Sequence, residues 1–466
     1  MRRATEVVPS ARRLIKSLRD LGYDLQAAIA DLVDNSITAE ATNVKVETHW
    51  EGDDSWIRIT DDGIGMTLGE LREAMRFGTR RDYFDDDLGR FGLGLKAASL
   101  SQSSHLTVAS RTTPTGRIHM AEWNLEHVEN SDRWEVLHPS PREVPEAARP
   151  LDGKRGTVVL WRRLDRVFRY RIPDGKRAKA DFDRLANEVA QHLAMVFHRF
   201  LSNEAGRELP LQISVDGNLV APWDPFAQIE HATVAMPRQR LRFVHDSTKH
   251  VVDVYPFVLP TEAAFSSPAA HRRAAGPQLW NRQQGFYIYR NARLIQSGGW
   301  NRLRTADEHT KLARIRVELP ANSEELFELN IAKTQVRIPS ALRPSLGAVA
   351  SGVARAAQDA YRRPMGSPTE RRSSLQPAES DPRRQVLRDL VRTVTSAVDE
   401  LVAEEVVDGV ALARIRHRMR DLEVRFASDL DHAISEGRGR PRSQAGQAAP
   451  SSRTAAGPIE DAAVGS

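Results

Sequence analysis

Three short segments between positions 31 and 96 carry residue types that can do chemistry together. In the first, AIADLVDNS, the residues Ala28, Ile29, Leu32, Val33 and Ser36, with Leu25 just before them, recur at the i, i+3, i+4, i+7 spacing of one helical face. At about 100° per residue, Asp31 and Asn35 fall beside Ala28 on the flank of that face, and Asp34 turns away from it. A carboxylate so placed orients or deprotonates a water, and an amide oxygen one turn on completes the shell of Mg²⁺. The same pair also suits the solvated edge of an ordinary amphipathic helix.

The second segment is Asp61-Asp62-Gly63-Ile64-Gly65-Met66, at the end of an apolar strand. Its glycines let a flat ligand approach the backbone, and a buried carboxylate accepts a hydrogen bond from an exocyclic amine such as that of adenine. The alternative is a polar turn between strand and helix. The third, Gly89-Arg90-Phe91-Gly92-Leu93-Gly94-Leu95-Lys96, is a Gly-rich turn that opens a helix. Free N–H groups and the positive end of the helix dipole make such a turn a phosphate cradle, with Lys96 as a nearby cation. Tight helix packing is the competing reason for the glycines. The spacing is neither that of a Walker loop nor that of a dinucleotide-binding fingerprint.

These segments need elements to hold them. The periodicity predicts a helix over 10–36, strands around Val44–Thr48 and Trp56–Ile59, and a helix over 67–77. A charged, mobile loop, GTRRDYFDDDLGR, then leads to a helix over 93–100. Strands at 105–110, 117–123 and 157–161 complete an α+β sandwich. A helix over 178–201 leads to LPLQISVDGNLV, where a second, β-rich domain is expected to begin. That domain continues through the hairpin GFYIYRNARLI and the strand RIRVELP. The division expected is 1–203, 204–345, a Ser/Pro-rich linker over 346–384, helices over 385–436 and a disordered tail over 437–466.

The chain has 466 residues, 40% of them hydrophobic, which is enough for two or three domains with their own cores. Its composition includes no cysteine, which excludes disulfides, thiolate metal sites and a cysteine nucleophile. A net charge of +5, from 67 basic and 62 acidic residues, permits nucleic-acid contact without arguing for it. Neither a spanning apolar run nor a secretory leader is apparent, so a soluble, cytoplasmic protein without membrane contact is expected.

In order and spacing, the three segments resemble the Bergerat-fold ATPases of the GHKL superfamily, over residues from about 10 to 340. AIADLVDNS is similar to the N-box, ITDDGIGM to the adenine-binding box and GRFGLGLKAAS to the lid-and-phosphate box. Gly156-Thr157 before VVLW is similar to the later Gly-Thr element. The forms GLGLKAAS and AIADLVDNS are similar to those of MORC and related prokaryotic and MutL-like proteins. The resemblance implies a Bergerat-type ATPase domain, a β-rich transducer domain and a C-terminal helical segment.

It further implies ATP and Mg²⁺ as cofactors, with Asn35 the metal ligand and Asp61 the reader of adenine. Gly63, Gly65 and Met66 would form the turn beside the base, and Thr157 would support Asp61. Gly89, Arg90, Phe91, Gly92, Leu93, Gly94, Leu95 and Lys96 would hold the phosphates. Asp31 would be the catalytic carboxylate, and Lys333, in NIAKTQV, would reach the γ-phosphate. The family's usual base is Glu; Asp31 is one methylene shorter, about 1.5 Å further back, so slow hydrolysis is expected.

The expected output is a nucleotide-gated, dimerising clamp, with DNA and other subunits of a restriction or antiviral system as partners, the subunits held by the C-terminal helices. Two alternatives stay open. One is an ATP-latched scaffold that does not hydrolyse. The other is a histidine kinase-like protein, for which His417 lies in the basic stretch RIRHRMR without an adjacent acid.

Overall fold

A computed structural model of the chain describes residues 9–20, 23–78, 94–167, 175–320, 326–328 and 336–362. Two helices stand where one was expected over 10–36. Helix α1 (Ala11–Arg19) starts at Ser10, whose hydroxyl accepts from the Arg13 N–H. Helix α2 (Leu25–Thr38) starts afresh at Asp24, whose carboxylate accepts from the Ala27 N–H at 2.7 Å. Such a cap contributes about 1 kcal/mol and ends any continuity with α1.

Among the described residues, seven strands form the first sheet: β1 (Asn43–His49), β2 (Trp56–Asp61), β3 (His105–Arg111), β4 (His119–Asn124), β5 (Gly156–Arg162), β6 (Gln212–Val215) and β7 (Asn218–Leu219). Their order is β4-β3-β5-β2-β1-β6-β7. In β1 the alternation is direct, with Val44 and Val46 buried and Asn43 and Lys45 exposed. Helices α3 (Leu68–Met75), α4 (Gly94–Leu100), α5 (Leu125–Ser131) and α6 (Pro145–Ala148) accompany this sheet. Helix α7 (Lys176–Val196) follows, and α8 (His198–Leu201) takes over where one long helix was expected.

The α2 helix packs against α4 and α7, which buries it on nearly every side. Ile29, Leu32 and Val33 meet Val44, Val46, Ile57, Ile59, Trp161 and Phe197 in one core. Each large apolar side chain so enclosed contributes about 1.5–3 kcal/mol relative to exposure.

The second sheet holds β8 (Val234–Ala235), β9 (Gln239–His245), β10 (Thr248–Val258), β11 (Gly285–Arg290), β12 (Arg293–Ser297) and β13 (Ala313–Leu319). Its order is β12-β11-β13-β10-β8, with β9 paired to β10. The short helices α9 (Pro268–Ala274) and α10 (Leu279–Gln283) lie between β10 and β11 in sequence. The fold is α+β.

Two boundaries differ from expectation. The hairpin around Asp216-Gly217 joins the first sheet, because β6 pairs in parallel with β1 from Asn43↔Gln212 to Val46↔Val215. Nor does the linker expected over 346–384 begin at 346. Helix α11 (Arg343–Arg362) occupies its first part, the rest lying outside the described residues, and packs on β10 and β13 with Leu346, Val349, Ala350, Val353, Ala354 and Ala357. Those positions recur at helical spacing, so burial on the sheet stabilises the helix. The expected helices over 385–436, the tail over 437–466 and most of the loop 78–92 lie outside the described residues.

The described residues fall within one compact unit. A small cluster of Met195, Phe226, Phe257, Tyr287, Tyr289 and Leu294 joins α7 to the second sheet. Arg199 on α8 reinforces it, pairing with Glu318 at 2.6 Å and lying over the Tyr289 ring at 4.1 Å. No helix of the described residues is long and apolar enough to cross a membrane.

Candidate functional site

Strand register builds the first half of the site. Pairing of β2 with β5 sets Asp61 opposite Thr157, and β3 brings Ser110 to the far side of Thr157. The Asp61 Oδ1 accepts from the Gly63 N–H at 3.0 Å and from the Thr157 N–H at 3.2 Å. Its Oδ2 lies 3.1 Å from the Ser36 hydroxyl on α2. Burial pushes the Asp61 carboxyl up to about 6, against those three hydrogen bonds and with help from the charge of Asp62.

Around it the backbone is crowded. A Cβ on Gly63 would meet the Ala39 carbonyl oxygen at 2.6 Å. Gly65 has a φ of +71°, and a Cβ there would stand 2.2 Å from the Arg111 carbonyl oxygen. Gly156 has a φ of +135° and leaves 2.0 Å to the Asp61 carbonyl oxygen. The Met66 N–H donates to the Ser110 hydroxyl, which lies 2.9 Å from the Thr157 hydroxyl. Thr67 then caps α3 through a reciprocal box with Glu70, so the turn is held at both ends. Ile64, between the glycines, is 50% exposed.

Asp62 does different work. Its two oxygens accept from the backbone N–H groups of Thr42 and Asn43 and from their side chains, at 2.7–2.8 Å. Burial raises its pKa, but these four hydrogen bonds win and hold it below the ordinary carboxylate value.

The second half of the site lies at the other end of α2. Asp31 is 3% exposed; its Oδ2 accepts from the Tyr23 hydroxyl at 2.7 Å and would stand 3.6 Å from a Cβ on Gly94, the first residue of α4. Asn35, one turn on, is exposed. Asp34 corrects the helical-wheel reading. It does not turn toward solvent but is fully buried, because the Arg293 Nε of β12 donates to its carboxylate at 2.8–2.9 Å.

Lys96 is engaged inside the fold. It is 1% exposed and its Nζ donates to the Ala74 carbonyl at 2.9 Å, near the C-terminus of α3. Burial lowers its pKa to about 8 against the pull of Glu73. The side chain therefore ties α4 to α3 in this conformation, while Leu95 packs partly against the first core. Gly89, Arg90, Phe91, Gly92, Leu93 and Lys333 lie outside the described residues. Among the described residues, no group of three or more His, Asp or Glu is placed to hold a metal ion by itself.

Residues 23–157 match the family of histidine kinase-, DNA gyrase B- and HSP90-like ATPases. The matched segment runs from Tyr23 to Thr157 and so contains both halves of the site. Over that segment the chain is similar to the GHKL ATPases.

The chain is also 30% identical over 87 residues to the ATPase morc-1 of Caenorhabditis elegans. The similarity covers 18% of this chain and a tenth of the length of morc-1. Besides the site residues expected from the sequence, the structure adds Ser36, Ser110, Tyr23 and Arg293 to those that shape the site. Ser36 carried a signal in the sequence, since it continues the apolar stripe of α2 and a buried hydroxyl needs a partner. Arg293, 259 positions from Asp34, carried none.

Proposed function

We propose that the chain binds ATP with Mg²⁺ where α2, β2 and β5 meet, and hydrolyses it slowly. The observation that carries this reading is the Asp61 carboxylate, supported from three directions by Ser36, Gly63 and Thr157 beside glycines that no side chain could replace. A carboxylate so held is shaped to accept from the exocyclic amine of adenine, and the small Gly63 and Gly65 let the ring approach. Asp31 lies beside the start of α4, where the phosphates belong in this reading, and orients the attacking water. The exposed Asn35 offers an amide oxygen to Mg²⁺, which neutralises charge on the transferred phosphoryl group. Lys333 approaches the γ-phosphate from the second sheet's side of the sequence, and the loop 78–92 orders over the nucleotide.

Closure of that loop leads to a dimeric clamp, and DNA is the substrate class it embraces, as part of a restriction or antiviral system. The deciding experiment is phosphate release from the purified chain with Mg-ATP, with and without duplex DNA, beside Asp31→Asn and Asp61→Asn. Release lost in both variants supports the hydrolytic roles, and stimulation by DNA supports the substrate class. Nucleotide binding that needs Asp61 but yields no phosphate replaces hydrolysis by an ATP-latched scaffold.

A further inference from the structure

The tip of the β11–β12 hairpin reaches the first core. Its two turn residues, Asn291 and Ala292, both have left-handed backbone, with φ of 47° and 65°, and Ala292 packs against the core that contains α2. An alanine in that conformation costs about 1–2 kcal/mol, so the contact it secures compensates strain. The next residue, Arg293, is 3% exposed and enters the flank of α2. Its Nε binds Asp34, its Nη2 lies 3.6 Å from the Asp31 Oδ1, and its guanidinium sits 5.8 Å from the Phe197 ring. Nearby His192 adds no charge, because burial lowers its pKa to about 4, with Arg293 assisting against Asp24.

We infer that Arg293 is a positioning residue for turnover: the hairpin of the second sheet sets the orientation and charge environment of Asp31, so the seating of that sheet governs water activation. The inference rests on the hydrolytic reading and deepens it. Asp34 anchors the guanidinium through Nε at hydrogen-bond distance, Nη1 donates to the Leu294 carbonyl at 3.4 Å, and Nη2 stands 3.6 Å from the Asp31 Oδ1. The Tyr23 hydroxyl fixes the opposite oxygen, so the carboxylate is held between a donor from its own domain and a cation from the second sheet. Because Asp31 is shorter than Glu, its reach toward a water depends more strongly on that alignment. Withdrawal of the hairpin removes the cation and frees the carboxylate to rotate.

The test uses the full chain and compares Arg293→Lys with the double variant Asp34→Asn/Arg293→Gln, which removes the Asp34–Arg293 pair together so that neither partner is left buried without the other. Mg-ATP affinity, kcat and KM for phosphate release are measured for each. The expected result is a double variant that binds ATP within about threefold of the wild type while kcat falls at least about tenfold, with Arg293→Lys recovering most of the loss. A double variant that turns over at the wild-type rate overturns the inference. So does a fall in kcat matched by an equal loss of ATP affinity, which marks Arg293 as support for the fold alone. A wild-type chain that binds ATP and releases no phosphate removes the hydrolytic reading itself, an outcome visible before any variant is made.

Discussion

Asp61 and Lys96 show how burial assigns work to single groups. Asp61 sits at about 6 instead of the ordinary 3.8, so between those values the folded chain keeps a proton that the unfolded chain has released. Its contribution to stability is full below 3.8 and is lost as pH rises through about 6. A ligand amine needs the ionised form, so adenosine affinity is predicted to fall as pH drops below 6, by about tenfold at one unit below. Competition by adenosine between pH 5 and 7 checks this without the protonation of phosphates, and a flat profile contradicts it. Lys96 has the opposite sign. Its folded pKa of about 8 lies below the unfolded 10.5, so stability rises with pH between those values. Lys96→Met is predicted to abolish that rise in chemical denaturation, and to keep ATP binding within about threefold. A collapse of binding would return Lys96 to the phosphates.

At the scale of elements, the site is a meeting of backbones. Gly156 begins β5 with a φ of +135° and lies where a Cβ would stand 2.0 Å from the Asp61 carbonyl oxygen. Relief requires parting β2 from β5, the pair whose register places Thr157 at Asp61. Gly156→Ala is therefore predicted to destabilise the fold by roughly 2–4 kcal/mol and to weaken ATP binding even where the protein folds. Thermal unfolding with and without ATP reads both effects. Ser36 is milder. Ser36→Ala removes one of the three donors to Asp61, so ATP affinity changes several-fold while the melting temperature moves by a few degrees, on the order of 1 kcal/mol.

Across the whole molecule, the two sheets depend on each other. The Arg293–Asp34 pair, the Arg199–Glu318 pair and the aromatic cluster around Tyr287 and Tyr289 all join helices α2, α8 and α7, which follow or pack on the first sheet, to the second sheet. Asp34→Ala leaves a buried guanidinium without its partner carboxylate, which costs about 3–5 kcal/mol. The predicted outcome is a single unfolding transition shifted to lower denaturant. Two separate transitions would show that the sheets unfold independently.

Much of this protein was legible from residue order because it is local. Helical periodicity, a Gly-bounded turn after an apolar strand and a Gly-rich helix start all act within a few residues, so the α+β class and the three segments that fall within the matched stretch 23–157 could be read directly. Asp34 could not be read this way. A helical wheel knows only its own helix, and an acid off the apolar stripe looks solvated until an arginine 259 positions away arrives to bury it. The hairpin at Asp216 and the helix from Arg343 to Arg362 were misplaced for the same reason, since membership of a sheet is decided by which edge or face remains open after the chain returns. The sequence by itself determined the α+β class and most of the local elements. Tertiary structure decided which charges are buried, which glycines touch backbone and which sheet sets the candidate base, because burial and pairing depend on distances through space that spacing along the chain does not encode.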